Sequence, residues 1–408
     1  MSFRRLLILT VAAVSLTACT SQLPLGDPEL PYPPAREPVV GEILHLPTGV
    51  YVSEQTLLDH AVRERVVFVG ETHDNPASHR LERIILTALQ EHNPGNVTLA
   101  MEMFVPSQQQ VLDRWSAGKL SEKEFLKEVN WYGTWSMNFA FYRPLLQYCR
   151  EHHIKILALN AEQDVKKLVS HNPIEDLPEA VREKLPEMDF NDPYQRAMVE
   201  ATFKDHAMGS AMLASFQRVQ TLWDETMASN LADYLKKTPS THQVEVIAGG
   251  NHVRYGFGIP RRMFRRAPAS YLLVGSNEID IPADKQDRLM NVVKPDYPMP
   301  PYHFVMYTRY EDLPTPGVKL GVMFEPGAKG LTVQGVLPGS AAAAAGVESG
   351  DILIGIDDSP ISEPFDLIYA LQQKQIGDSV QLKLLRADRE QLKEVRFSPA
   401  SQQPHGSK

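Results

Sequence analysis

Cysteine is almost absent from this 408-residue chain; the two present are Cys19 and Cys149. No disulfide framework can therefore hold the fold. Lysine and arginine form no dense block beyond the first few residues, and the net charge is −9. A nucleic-acid partner is excluded on that ground, because phosphate binding needs a concentrated basic face. Long apolar runs are missing too. The longest, over residues 6–16, falls short of the roughly 20 residues that a membrane-spanning helix requires. There is no G-x-S-x-G elbow, no H-E-x-x-H, no C-x-x-C and no phosphate-cradling glycine loop. What remains is an ordinary globular composition, 22% charged and 43% hydrophobic. At about 100–200 residues per domain, two folded domains are expected.

The first 18 residues read as a targeting segment. Arg4 and Arg5 precede the short apolar core, and Leu16-Thr17-Ala18-Cys19 follows it. Small residues ending in cysteine resemble a bacterial lipobox, which implies that Cys19 becomes the lipid-modified first residue of a membrane-anchored periplasmic protein. Thr20 in place of aspartate resembles the signal for outer-membrane sorting. Residues 19–40 carry Pro24, Pro28, Pro31, Pro33, Pro34 and Pro38, the composition of an extended spacer. Cys149 lies among Leu145, Leu146 and Tyr148 and is expected in the core.

From residue 41 the pattern becomes α/β. Val66 to Val69 form a continuous apolar run suited to a buried parallel strand. Leu81, Ile84, Ile85, Ala88 and Leu89 then recur at helical spacing. Further strand candidates cover residues 97–101, 154–159, 244–248 and 271–274. Strands alternating with helices predict a mostly parallel sheet flanked by helices over residues 41–277. Residues 103–143 and 161–235 break the rhythm and read as helical insertions capping one end of the sheet. Seven prolines mark residues 278–317 as a linker around a possible last strand at 304–307. A small α+β domain is expected over 318–399, and residues 400–408 form a polar tail.

Polar residues follow the strands in a pattern. The first strand runs into Gly70-Glu71-Thr72-His73-Asp74-Asn75, the second into Glu102, the third into Asn160, and the fourth into Gly249-Gly250-Asn251-His252. Open α/β sheets bind ligands beyond the carboxyl ends of their strands, and parallel strands bring those ends to one edge. Glu71, His73, Glu102 and His252 are thus expected to converge, with His79 returning to the same edge. Singly, each has a plain structural reading as a helix-terminus charge or a backbone-bonded histidine. Together they suit a divalent transition metal, held by Glu71, His73 and His252, or acid–base chemistry. His92, His152 and His153 are expected at the surface.

These motifs carry a family resemblance. Gly70-Glu71-Thr72-His73-Asp74-Asn75-Pro76 with His79 resembles the opening motif of the ChaN-like haem-binding lipoproteins of the haem-binding uptake/Tiki superfamily. Ala100-Met101-Glu102-Met103-Phe104 with Gln108-Gln109 is similar to their second motif. Trp131-Tyr132, Trp135 and Tyr142-Arg143-Pro144 resemble the third. Residues 220–228 and 249–252 complete the series in order. The resemblance implies haem and iron binding through a tyrosinate in iron uptake, with self-association (a possible homodimer) around the ligand. The implied haem-binding set is Glu71, His73, His79, Glu102, Tyr132, Tyr142, Arg143, His252 and Tyr255. Tyr255 is the first candidate for the ligand, and Tyr132 and Tyr142 follow. Arg143 and Arg254 are candidates for the propionates. The same superfamily contains metal-dependent hydrolases and proteases, for which Glu71, His73, Glu102 and His252 would be the catalytic set.

The C-terminal segment resembles a bacterial PDZ domain. Lys319-Leu320-Gly321-Val322, Val336-Leu337-Pro338-Gly339 and Gly350-Asp351-Ile352-Leu353 stand in the order of that family. The resemblance implies that Leu320, Gly321 and Val322 hold the carboxylate of an extended peptide, with residues 365–372 as the groove helix.

Overall fold

The computed structural model describes residues 35–135, 137–203, 210–288, 297–314 and 317–399. The targeting segment, Cys19, most of the proline-rich spacer and the tail at 400–408 lie outside the described residues.

An eight-stranded sheet organises the first domain. Its strands are β1 (Ile43–His45), β2 (Val50–Val52), β3 (Val66–Glu71), β4 (Val97–Met101), β5 (Lys155–Ala158), β6 (Gln243–Gly249), β7 (Tyr271–Asp280) and β8 (Phe304–Arg309), in the order β2-β1-β8-β7-β3-β6-β4-β5. Strands β3 to β8 run parallel, and β1 pairs antiparallel with both β8 and β2. The strand expected at 304–307 is therefore integral to the sheet, between β1 and β7. The proline-rich stretch only interrupts the approach to it.

Every residue of β3, β4 and β6 is buried, as expected for central parallel strands covered on both faces. The period of two divides their side chains between two cores. Val67 and Val69 join Leu81, Ile85 and Leu89 of the helix Pro76–His92, together with Trp115, Trp131 and Cys149. Val66, Phe68 and Val246 face Met227 and Leu231 of the long helix Ser210–Lys237. Glu71 and Glu245 share the parity of Val67 and Val69 or of Ile247, so both side chains project on the Pro76–His92 side.

The helix Pro76–His92 starts where its sequence dictates. Asn75 accepts the Ala77 N–H through its side chain at 3.1 Å, and proline occupies the first turn. Helices Gln109–Ser116, Glu122–Glu128 and Trp131–Thr134 fall in the first expected helical insertion, with Arg143–Glu151 following it, and Gln163–His171 and Pro193–Phe203 fall in the second. Cys149 is fully buried, and His92, His152 and His153 are exposed.

The second domain is an antiparallel sheet of β9 (Val322–Gly327), β10 (Gly330–Val336), β11 (Ile352–Ile356), β12 (Ser359–Pro360), β13 (Ser379–Arg386) and β14 (Arg389–Arg396), with its own core around Leu331, Leu353, Leu382 and Phe397. Strand β9 lies at the sheet edge. Truncating Phe68 to alanine, a side chain with 0% exposure, is expected to cost about 3–5 kcal/mol. The same change at Phe264, 47% exposed, should fall within about 0.5 kcal/mol. Chemical denaturation of both variants measures the contrast.

Candidate functional site

Parallel pairing sets the site. Glu71 ends β3 in register with Gly249 at the end of β6, and Glu102 follows β4 on the other side of β6. At Gly249 a β-carbon would lie 3.0 Å from His73 Nε2 and 3.6 Å from Glu102 Oε2. Glycine is what lets the histidine and the carboxylate meet over the strand end.

Two linked groups of side chains result. In the first, the carboxylate of Glu71 is 5% exposed, contacts His73 Nδ1 closely and accepts the Tyr142 hydroxyl at 2.9 Å. Trp135 donates its indole N–H to the Tyr142 oxygen at 3.2 Å and stands edge-on to His73, with centroids 5.0 Å apart. His79 Nδ1 lies 3.3 Å from Glu71 and 3.0 Å from Glu82, a buried residue one turn further along the helix. In the second group, Glu102 accepts the Gly249 N–H at 2.7 Å and lies 3.4 Å from His252 Nε2. His252 Nδ1 donates to Asp224 at 2.6 Å.

Burial and charge drive these groups apart in acidity. Burial, reinforced by the charge of Glu82, lifts the Glu71 carboxyl to about 7 despite His79 and His73. Burial would also raise Glu102, yet the charge of His252 prevails and holds it at about 2. Burial alone would lower His252, but Glu102 and Asp224 outweigh it and raise the imidazole to about 10. His73 is likewise raised to about 9, with Glu71 overcoming the burial effect. Two carboxyls at one strand edge therefore differ widely. Glu102 is held ionised against an imidazolium, and Glu71 is poised to exchange a proton near neutrality.

The structure thus joins Glu71, His73, His79, Glu102, Tyr142 and His252. It places three other expected residues elsewhere. Arg143 forms a bidentate pair with Glu122, with nitrogen–oxygen distances of 2.9–3.1 Å. Tyr132 packs against Phe365 of the C-terminal domain at 6.0 Å between centroids. Tyr255 stacks on Phe257 at 5.4 Å and meets Tyr297 edge-on at 4.8 Å. Glu82, Asp224 and Glu245 escaped the sequence reading. Asp224 stands inside a quoted motif, and Glu82 interrupts the apolar stripe of its helix. Glu245 interrupts an apolar strand. Charges at positions that periodicity assigns to the interior were the available signal.

In the second domain, Gly321 adopts φ +82°, and a β-carbon there would approach the Ser340 β-carbon to 2.2 Å. The carbonyls of Leu320 and Gly321 accept from the backbone N–H groups of Ala342 and Leu337, each at 2.9 Å, in the segment that follows β10. Val322 opens the edge strand β9.

Comparison with known proteins follows this architecture. The family model described as haem-binding uptake, Tiki superfamily, ChaN matches residues 57–263, just over half of the sequence. The chain belongs to the ChaN family. A PDZ family model matches residues 318–396. The solved structure of ChaN from Campylobacter jejuni, described as binding haem cofacially, superposes with a TM-score of 0.51 at 17% identity, covering 65% of this chain and 95% of that one. At that identity the likeness is one of fold. The chloroplastic protein RETICULATA-RELATED 5 of Arabidopsis thaliana is 25% identical over 255 residues, 57% of this chain and 34% of that protein. The putative serine protease HhoA of Synechocystis is 38% identical over 64 residues, 16% of each chain. The chain thus spans about a third or less of the length of these curated relatives.

The pair in this ChaN-like domain has a definite pH window. His252, raised from 6.5 to about 10, contributes stability that is complete below 6.5 and lost as pH rises through 10. Glu102, lowered from 4.5 to about 2, contributes stability that is complete above 4.5 and lost as pH falls through 2. Thermal melts of wild type and His252→Gln should therefore differ most between pH 4.5 and 6.5 and converge towards pH 10. A difference independent of pH would refute the pairing.

Proposed function

We propose that the mature protein is a haem-binding lipoprotein of iron uptake, anchored in the periplasm by lipid on Cys19 and directed to the outer membrane by its Thr20 signal, with a PDZ module that docks protein termini. The observation that carries the haem reading is the presentation of Tyr255. This residue holds a left-handed backbone at φ 58°, a conformation that costs a non-glycine residue about 1–3 kcal/mol and that clusters at functional sites. Its ring belongs to a group of flat faces with Phe257, Tyr297 and Tyr194, the last 39% exposed. Arg261 lies over Tyr194 and Phe257 at about 6 Å.

These residues fit haem. A phenolate is a hard anionic donor for ferric iron, aromatic faces suit the macrocycle, and arginine suits its propionates. Tyr255 would supply the ligand, and Arg254 and Arg261 the cationic flank. Tyr142 suits the role less well, because burial and the charges of Glu71 and Glu82 raise its hydroxyl far from ionisation. The iron, when bound, supplies the redox and ligand-exchange chemistry of haem, and the protein supplies the slab and its anionic donor.

For the PDZ module, the exposed edge of β9 supports strand addition by an extended peptide, with Leu320, Gly321 and Val322 at its carboxylate end. A second reading of the first domain, a metal-dependent hydrolase, draws support from the opposed acidities of Glu71 and Glu102. In that reading Glu71, His73, Glu102 and His252 activate water.

Titration of haemin into the purified mature protein, followed by its Soret and charge-transfer bands, tests the leading reading. A saturable tyrosinate-type ferric spectrum is expected, lost in Tyr255→Phe and retained in Glu71→Gln. A spectrum unchanged by Tyr255→Phe would sink that ligand assignment. No specific spectrum, with turnover of a substrate abolished by Glu71→Gln, would move the function to the hydrolase reading.

A further inference from the structure

The helix side of the sheet holds more buried carboxyl groups than its histidines can partner. Glu71, Glu82 and Glu245 all project there, and the last two are fully buried. Glu71 Oε2, Glu82 Oε1 and both carboxylate oxygens of Glu245 have no hydrogen-bond partner. Unpaired buried carboxylate oxygen is costly unless a proton or a cation meets it.

His79 shows where the missing charge belongs. Its Nε2 lies 3.1 Å from the backbone carbonyl of His73. A carbonyl only accepts, so Nε2 carries a ring hydrogen and Nδ1 is the atom left to face the carboxylates. This atom lies 3.3 Å from Glu71 Oε2 and 3.0 Å from Glu82 Oε2. An imidazole nitrogen set between two buried carboxylates calls for a positive centre there, a proton or a metal ion.

We propose that Glu71, His79 and Glu82 bind a divalent transition ion of the zinc and iron(II) class. Among the described residues, these three form the group whose donor atoms lie within 4.8 Å of one another. Metal–ligand bonds of about 2.0–2.2 Å at tetrahedral angles separate neighbouring donors by roughly 3.3–3.5 Å, close to the 3.3 and 3.0 Å that separate His79 Nδ1 from the two carboxylates. One imidazole with two carboxylates suits that class of ion.

The outer shell is also in place. A metal-bound histidine characteristically donates its second N–H to a carbonyl, as His79 does, and a ligating carboxylate is itself hydrogen-bonded, as Glu71 is by Tyr142. The site differs from the expected set of Glu71, His73 and His252. It takes its second and third ligands from one turn of the helix Pro76–His92, behind the strand edge. Because Tyr255 has no part in it, the ion and haem are separable.

Full-length protein stripped with a chelator and titrated with cobalt(II) provides the test, read by the visible absorption of four-coordinate cobalt. One equivalent per chain is expected. Glu82→Gln and His79→Gln should each weaken binding by at least about a hundredfold, the upper end of what losing an outer-shell partner costs. His252→Gln should leave it unchanged. X-ray absorption of the wild-type cobalt form keeps the test decisive if those variants fail to fold, with one imidazole and oxygen donors expected. Absence of saturable binding would overturn the proposal and leave a proton at the site. So would two or more imidazole ligands, or binding lost in His252→Gln and kept in Glu82→Gln.

Discussion

Desolvation of carboxylates at the end of a parallel sheet is the constraint around which this ChaN-like domain is arranged. Glu71 and Glu102 sit 5% and 6% exposed at the carboxyl ends of the two strands that flank β6. An isolated carboxylate at such depth is strongly disfavoured. Each must be neutralised by a proton, an imidazolium or hydrogen-bond donors, and the surrounding elements supply them. Gly249 clears the approach, His252 and the Gly249 N–H serve Glu102, and Tyr142 and His73 serve Glu71.

The two carboxylates meet that constraint differently, and the difference gives the site its chemical character. Glu102 faces an imidazolium that is itself held by Asp224, so its charge is permanent near neutrality. Glu71 shares its surroundings with Glu82, so ionising both is opposed. The helical cap also reaches this strand edge. Trp135 and Tyr142, from the segment between the cap helices, touch His73 and His79 and couple the cap to the strand edge. Lys127 of the same cap pairs with Glu363 of the PDZ domain at 2.5 Å, beside the Tyr132–Phe365 contact.

Much of this was legible in order along the chain. Val66 to Val69 announced a central strand because a parallel strand is apolar on both faces, and the stripe from Leu81 to Leu89 announced its helix. The glutamates and histidines after the strands were legible as a site because parallel pairing must bring those ends together. His79 was harder to place, since six residues separate it from His73 and only the N-capping turn at Asn75 directs it back to the pocket. Tyr132 and Arg143 stood in the right motif, yet their side chains are engaged by Phe365 and Glu122. Motif membership does not fix which way a cap residue faces.

Local pattern determined the strands, the helix with its capped start, the buried cysteine and the PDZ loop, because each depends on neighbours within a few residues. Tertiary structure alone decided which charges share a proton, which carboxylates lack a partner and how far each acidity moves. Glu82 and Asp224 come into play only through packing of helices against strands distant in sequence. Electrostatic interaction depends on distance and burial, and neither is written in the order of residues.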